Sequence, residues 1–110
     1  MKPVKSHVFR GKRYNIKWVP PSKLKSKADE SKGEVCFGIC NPPTKKGKSI
    51  KIDNTLTDFD KLETIVHESL HAVFWDLDEY AVRDAAVDLS KLLWKLGYRE
   101  QDVDSGLNDK

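Results

Sequence analysis

The chain predicts an α+β fold: a small antiparallel or mixed three-stranded sheet followed by two packed helices. Three short segments in its first half alternate apolar and polar residues with the period of a half-buried strand. Two segments in its second half repeat apolar residues every three or four positions, as amphipathic helices do. At 110 residues the chain suits one core and is short for two, so residues 1–99 are expected to form a single domain.

The first strand is read over Arg10–Val19, where Tyr14, Ile16 and Trp18 take one side and Asn15 and Lys17 the other, and Pro20-Pro21 ends it. Ser22–Gly33 is a lysine-rich connection with little hydrophobicity, expected to be mobile. Glu34–Cys40 is the second strand, with Val35, Phe37 and Ile39 facing one way. Asn41-Pro42-Pro43 and Lys45-Lys46-Gly47 mark a turn, and Ser49–Asp53 is the third strand with Ile50 and Ile52 inward.

The first helix is expected to begin at Thr57, with Asp60 completing a capping box, and to end near Trp75 or Asp76. Its core stripe is Leu62, Val66, Leu70, Val73 and Leu77. Asp76 or Asp78 caps the second helix, whose stripe is Val82, Ala85, Ala86, Leu89, Leu92, Leu93 and Leu96 and which stops at Gly97. Residues 100–110 read as a disordered tail.

Composition narrows the setting. No apolar run approaches the roughly 20 residues that span a bilayer, and Met1–Arg10 lacks the apolar core of a signal peptide, so no membrane role and a cytoplasmic location are expected. Cys36 and Cys40 make no disulfide framework; within a strand they would lie about 13 Å apart, too far for a bond or a shared ion. The net charge of +3 is divided unevenly: residues 1–55 hold 14 Lys and Arg against 4 Asp and Glu, and residues 56–110 hold 6 against 13. A basic lobe of this kind attracts nucleic acid or another acidic partner, or is a solvated surface around strands.

The chemistry concentrates in the first helix, at His67-Glu68-Ser69-Leu70-His71. Residues four apart on a helix lie about 40° apart around the axis and about 6 Å along it, so two imidazoles so spaced can bind one ion. Glu68 lies where its carboxylate can reach a water but not readily the metal, the H-E-x-x-H pattern with a general base. Two solvated histidines on a surface helix are the plainer alternative, and the apolar stripe beside them argues for a packed helix. For a third ligand, Glu79 on the second helix looks inward whereas Asp84 and Asp88 look outward. Glu79 as the capping-box acid of Asp76 is the rival, and Asp76 and Asp78 are weaker ligand candidates.

Taken with Cys40-Asn41-Pro42-Pro43, the Ala72 that follows the motif, Leu77-Asp78-Glu79 and Leu92-Leu93-Trp94-Lys95-Leu96-Gly97-Tyr98-Arg99, the chain resembles the zincin metallopeptidases. It is similar to the gluzincin-like group, in which a glutamate from the next helix completes H-E-x-x-H, and more closely to short zincin-like proteins encoded by bacteriophages. The resemblance covers residues 36–99. It implies a minimal zincin core, a Zn2+ cofactor held by His67, His71 and Glu79, Glu68 as general base, and hydrolysis of a peptide or protein substrate in a host cytoplasm. No glycine-plus-histidine continuation follows His71, so a histidine third ligand is not expected. Tyr80, Arg83 and His7 are the candidates for stabilising an oxyanion. Two other classes stay open: a zinc-stabilised binding module without catalysis, and a nucleic-acid-associated protein using the basic half for weak contact.

Overall fold

A computed structural model of the chain describes residues 4–24 and 36–100. Four strands precede two helices: β1 (Ser6–Phe9), β2 (Lys12–Val19), β3 (Gly38–Cys40), β4 (Ser49–Asp53), α1 (Asp58–Val73) and α2 (Glu79–Lys95). The strands form one mixed sheet in the order β1-β2-β4-β3, with β2 and β4 parallel and the two outer pairs antiparallel.

The sheet therefore has four strands rather than the expected three. The added strand is β1, joined to β2 by Arg10 and Gly11, both with positive φ (50° and 79°). Two successive left-handed residues make the tight turn whose twist suits a hairpin. Arg10 thus belongs to the turn and not to the strand, and His7 and Phe9 come to lie opposite Tyr14 and Lys12. The strand expected over Glu34–Cys40 is ordered as sheet only from Gly38; Glu34 and Val35 lie outside the described residues, as do most of the connection read over Ser22–Gly33 and the tail beyond Glu100. The start of that connection is a 3-10 turn, Pro21–Lys23, which sets Leu24 fully buried, an anchor the low local hydrophobicity does not announce.

The core is the inner face of the sheet. Tyr14, Ile50, Ile52 and Ala72 of α1 form its buried centre, with Phe9, Ile16, Trp18, Cys40, Leu56 and Ile65 packed around them. α1 lies on this face and α2 packs against α1, so the order of layers is sheet, α1, α2. Asn41 ties the β3–β4 connection down: its side-chain carbonyl accepts from the Ser49 N–H at 2.9 Å and from the Ser49 hydroxyl at 3.2 Å.

The first helix turns a different face inward from the one periodicity selects, and the second buries only part of its expected stripe. On α1 the fully buried residues are Thr64, Glu68 and Ala72, while Leu62, Val66, Leu70 and Val73 are half-buried and Leu77 is exposed. A helix held between a sheet and a second helix has two contact faces, and neither coincides with the single stripe of a surface helix. On α2 the buried residues are Val82, Ala86 and Ser90. Leu89, Leu92 and Leu96, expected in the core, are 45%, 53% and 64% exposed.

The ends of the helices follow local chemistry. Thr57 precedes α1, but its side chain makes no capping bond, so the expected Thr57–Asp60 capping box is absent; Asp58 enters the helix at φ 52°. α1 stops at Val73, with Phe74 as its C-cap, slightly before the expected Trp75 or Asp76. The Asp78 carboxylate caps α2, accepting from Tyr80 N–H at 3.0 Å and Ala81 N–H at 3.2 Å. At the other end Gly97 adopts φ 94° while Gly97 N–H donates to Trp94 O and Tyr98 N–H to Leu93 O, a Schellman closure. No helix is long and apolar enough to cross a membrane among the described residues.

Candidate metal centre

His67 and His71 project from one side of α1, and the short connection 74–78 returns α2 so that its first residue, Glu79, meets them. The three side chains converge closely. His67 Nε2 lies 3.1 Å from His71 Nε2 and 3.1 Å from Glu79 Oε1, and His71 Nε2 lies 2.9 Å from Glu79 Oε2. Because Asp78 supplies the cap, the Glu79 carboxylate is free of that duty, and the alternative of a capping-box acid paired with Asp76 does not hold.

This geometry can be tested against an ion. Ligands at about 2.0–2.1 Å from a tetrahedral centre stand about 3.3–3.4 Å from one another. The observed separations of 2.9–3.1 Å, with His67 facing one Glu79 oxygen and His71 the other, fall just inside that, so the two imidazoles and the carboxylate would be close enough to share one ion. A neutral imidazole has one N–H, and here each Nε2 faces both the other ring nitrogen and a carboxylate oxygen. A shared cation satisfies all these contacts together. The residues thus form a group that could hold a metal ion. Burial pushes the proton affinity of His71 below that of an ordinary imidazole, the carboxylate of Glu79 opposing and the neighbouring His67 reinforcing that shift, and a neutral ring is the form that ligates.

Glu68 points elsewhere. It is 6% exposed and lies beneath the edge strand, where a Cβ added to Gly38 would stand 2.8 Å from Glu68 Cγ and 3.0 Å from Glu68 Oε2. Only a residue without a side chain lets β3 lie over this carboxylate. Burial, and then the nearby Glu79 charge, push the Glu68 pKa up to about 8. On the far side of Glu68 is a second polar group: Cys40, whose thiol burial and the Glu68 charge push up to about 12, and Tyr14, pushed up to about 12 by burial and by Cys40. The Tyr14 hydroxyl donates to Asn41 O at 3.2 Å. The Cys36 thiol donates to Gly38 O at 3.2 Å and the Cys40 thiol to Asn41 O at 3.4 Å.

The remaining sequence candidates are not gathered around the triad. Tyr80 is exposed, with the Arg83 guanidinium 5.6 Å above its ring, and His7 packs on Phe9 in β1, at the sheet edge opposite β3. Asp76 and Asp78 are exposed on the connection. Two residues that sequence reasoning passes over do belong here. Trp75 packs edge-on against His71, with ring centroids 6.3 Å apart, and its position four residues on from His71 is the signal for it. Gly38 has no such signal, because its contact with Glu68 crosses from strand to helix.

The triad is partly exposed, the Glu79 side chain by 50% and those of His67 and His71 by 21% and 17%. A cavity of about 520 Å³, lined by Lys61, Leu62, Ile65 and Trp94 among others, lies toward the start of α1 and the end of α2, away from the triad. Comparisons of the chain with models of known protein families, with curated proteins and with solved structures find no match.

Proposed function

We propose that the protein is a zinc-dependent metallopeptidase built on a minimal zincin core of the phage-encoded kind. The observation that carries this reading is the pairing of a convergent His67–His71–Glu79 group with a buried carboxylate, Glu68, on the same helix and one residue from the first ligand. A bound Zn2+ would polarise a peptide carbonyl and acidify a water. Two imidazoles and one carboxylate with an open fourth position match that ion better than the all-oxygen sets of magnesium or calcium.

The chain's own residues supply the rest. Glu68, shielded from bulk water, would accept a proton from the attacking water and return it to the departing amine once a nearby cation offsets the burial and the Glu79 charge that raise its proton affinity. Among the described residues no strand pairs with the outer edge of β3, so an extended peptide can add alongside it as a further strand, next to Gly38 and hence to Glu68.

The test is to screen wild type and Glu68→Gln against a peptide library and an unfolded protein, with metal content measured in both. Equal zinc, with hydrolysis reduced about 10²–10⁴-fold in the variant, is the expected result. A wild type that cleaves nothing when loaded with zinc would leave a metal-stabilised binding module in place of a peptidase.

A second reading rests on the outer face of the sheet. Strand alternation puts Arg13, Lys17 and Lys51 there, with Lys17 and Lys51 paired in register on adjacent strands, and no carboxylate bridges to them among the described residues. Side-by-side cations repel, and a polyanion relieves that repulsion. Contact with nucleic acid through phosphates would be abolished by salt and indifferent to sequence.

A further inference from the structure

α2 carries more apolar surface than α1 covers. Val82, Ala85, Leu89, Leu92 and Leu96 follow the alternating three-and-four spacing of a coiled-coil seam. Only the start of that seam is used within the fold. Val82, Ala86 and Ser90 face α1, whereas Leu89, Leu92 and Leu96 form a row about 100° around the helix from them and stand 45%, 53% and 64% exposed. Three large exposed leucines in one row are a contiguous patch rather than scattered surface apolar residues.

The charges beside the row indicate what covers it. On the flank away from α1, Asp84 and Asp88 occupy the first half of the helix and Lys91 and Lys95 the second. Two such helices side by side in the same direction would set acid against acid and base against base. Reversed, each acidic half lies along the other's basic half while the leucine rows meet. We propose that this row is the contact surface for a second copy of the same chain, packed antiparallel about a two-fold axis between Leu89 and Leu92. The arrangement is self-complementary, as a two-fold interface requires. The seam from Ala85 to Leu96 is about 17 Å long, shorter than a standard interface of about 800 Å² per partner needs, so the dimer is weak and dissociates on dilution. It does not depend on the metal centre, which lies where the start of α2 meets α1.

Sedimentation equilibrium of the full chain from about 1 µM to about 500 µM tests this. The weight-average mass should rise from monomer toward dimer across that range. Leu92→Glu, on an exposed position, should remain monomeric throughout with an unchanged circular dichroism spectrum and melting temperature. Lys91→Glu with Lys95→Glu should weaken association by about tenfold or more, and adding Asp84→Lys with Asp88→Lys should restore it. A wild type that is monomeric at every concentration overturns the proposal, as does a dimer indifferent to Leu92→Glu. If Leu92→Glu does not fold, the charge reversal and its rescue decide instead, and reversal without rescue rules out the antiparallel pairing.

Discussion

The two helices are of similar length and similar amphipathic pattern, yet the fold treats them differently. α1 has a sheet on one side and α2 on the other; among the described elements α2 packs chiefly on α1. On α1, being covered twice buries a carboxylate, Glu68, and holds His67 and His71 at the boundary with solvent. On α2, being covered once leaves a leucine row in water and confines its contribution to the site to its first residue, Glu79. A helix gripped from two sides can carry chemistry that tolerates little movement. One gripped from a single side is suited to completing a site and to meeting a partner.

Substitutions can widen or erase that difference. The largest effect should come from the ligands themselves. His71→Ala, on the clamped helix, should abolish stoichiometric metal binding. Glu79→Gln should weaken it by at least the roughly 10–100-fold that loss of a supporting group costs, while helix content is kept, because the cap is made by Asp78. Metal titration beside far-ultraviolet circular dichroism checks both. If Glu79→Gln binds as tightly as wild type, α2 contributes nothing to the ion and the contrast between the helices is greater still.

Next in size is Gly38→Ala, which forces β3 away from the sheet-facing side of α1. The new Cβ would meet Glu68 Cγ at 2.8 Å and Thr64 Cγ2 at 3.1 Å, and overpacking of this sort costs about 1–3 kcal/mol. Chemical denaturation should show it, with hydrolysis falling further than stability because the displaced atoms belong to Glu68. A variant as stable and active as wild type would mean that this side of α1 is not tightly held.

The smallest change probes the other side. Ser90 is fully buried, and among the described residues its hydroxyl has no hydrogen-bond partner. Removing an unsatisfied buried hydroxyl sheds its desolvation cost, so Ser90→Ala should be neutral or stabilising by up to about 1–2 kcal/mol. Clear destabilisation in the same denaturation assay would mean that the hydroxyl is satisfied in solution.

What was legible in the sequence was what is local. The histidine spacing and the helix carrying it follow from one turn of helix, and Glu79 follows from a connection too short to let the second helix wander. β1 was not legible, because four residues are too few to show alternation and its turn places a non-glycine residue, Arg10, at positive φ. The α2 stripe misled for another reason. Periodicity ranks faces by hydrophobicity and did select Val82 and Ala86, but it favoured the leucines over Ser90, the third of the residues that α2 buries. The position of Glu68 under Gly38 was out of reach, since it depends on a strand some thirty residues earlier crossing the helix at one point.

The sheet order has a bearing on when the site comes into being. Two hairpin-like units, β1–β2 and β3–β4, are each closed by nearby residues, but they join only through the parallel β2–β4 pairing, which brings Asn15 beside Ser49. Such a pairing must close a long loop before any contact rewards it, and it is a slow step in assembly. All three proposed ligands, in contrast, lie between His67 and Glu79, on two consecutive helices whose junction is short. Capture of an ion by the helical pair can therefore run ahead of sheet closure. The roof over Glu68 belongs to β3, so it depends on the docking of the local β3–β4 unit against α1 and not on the slow β2–β4 pairing.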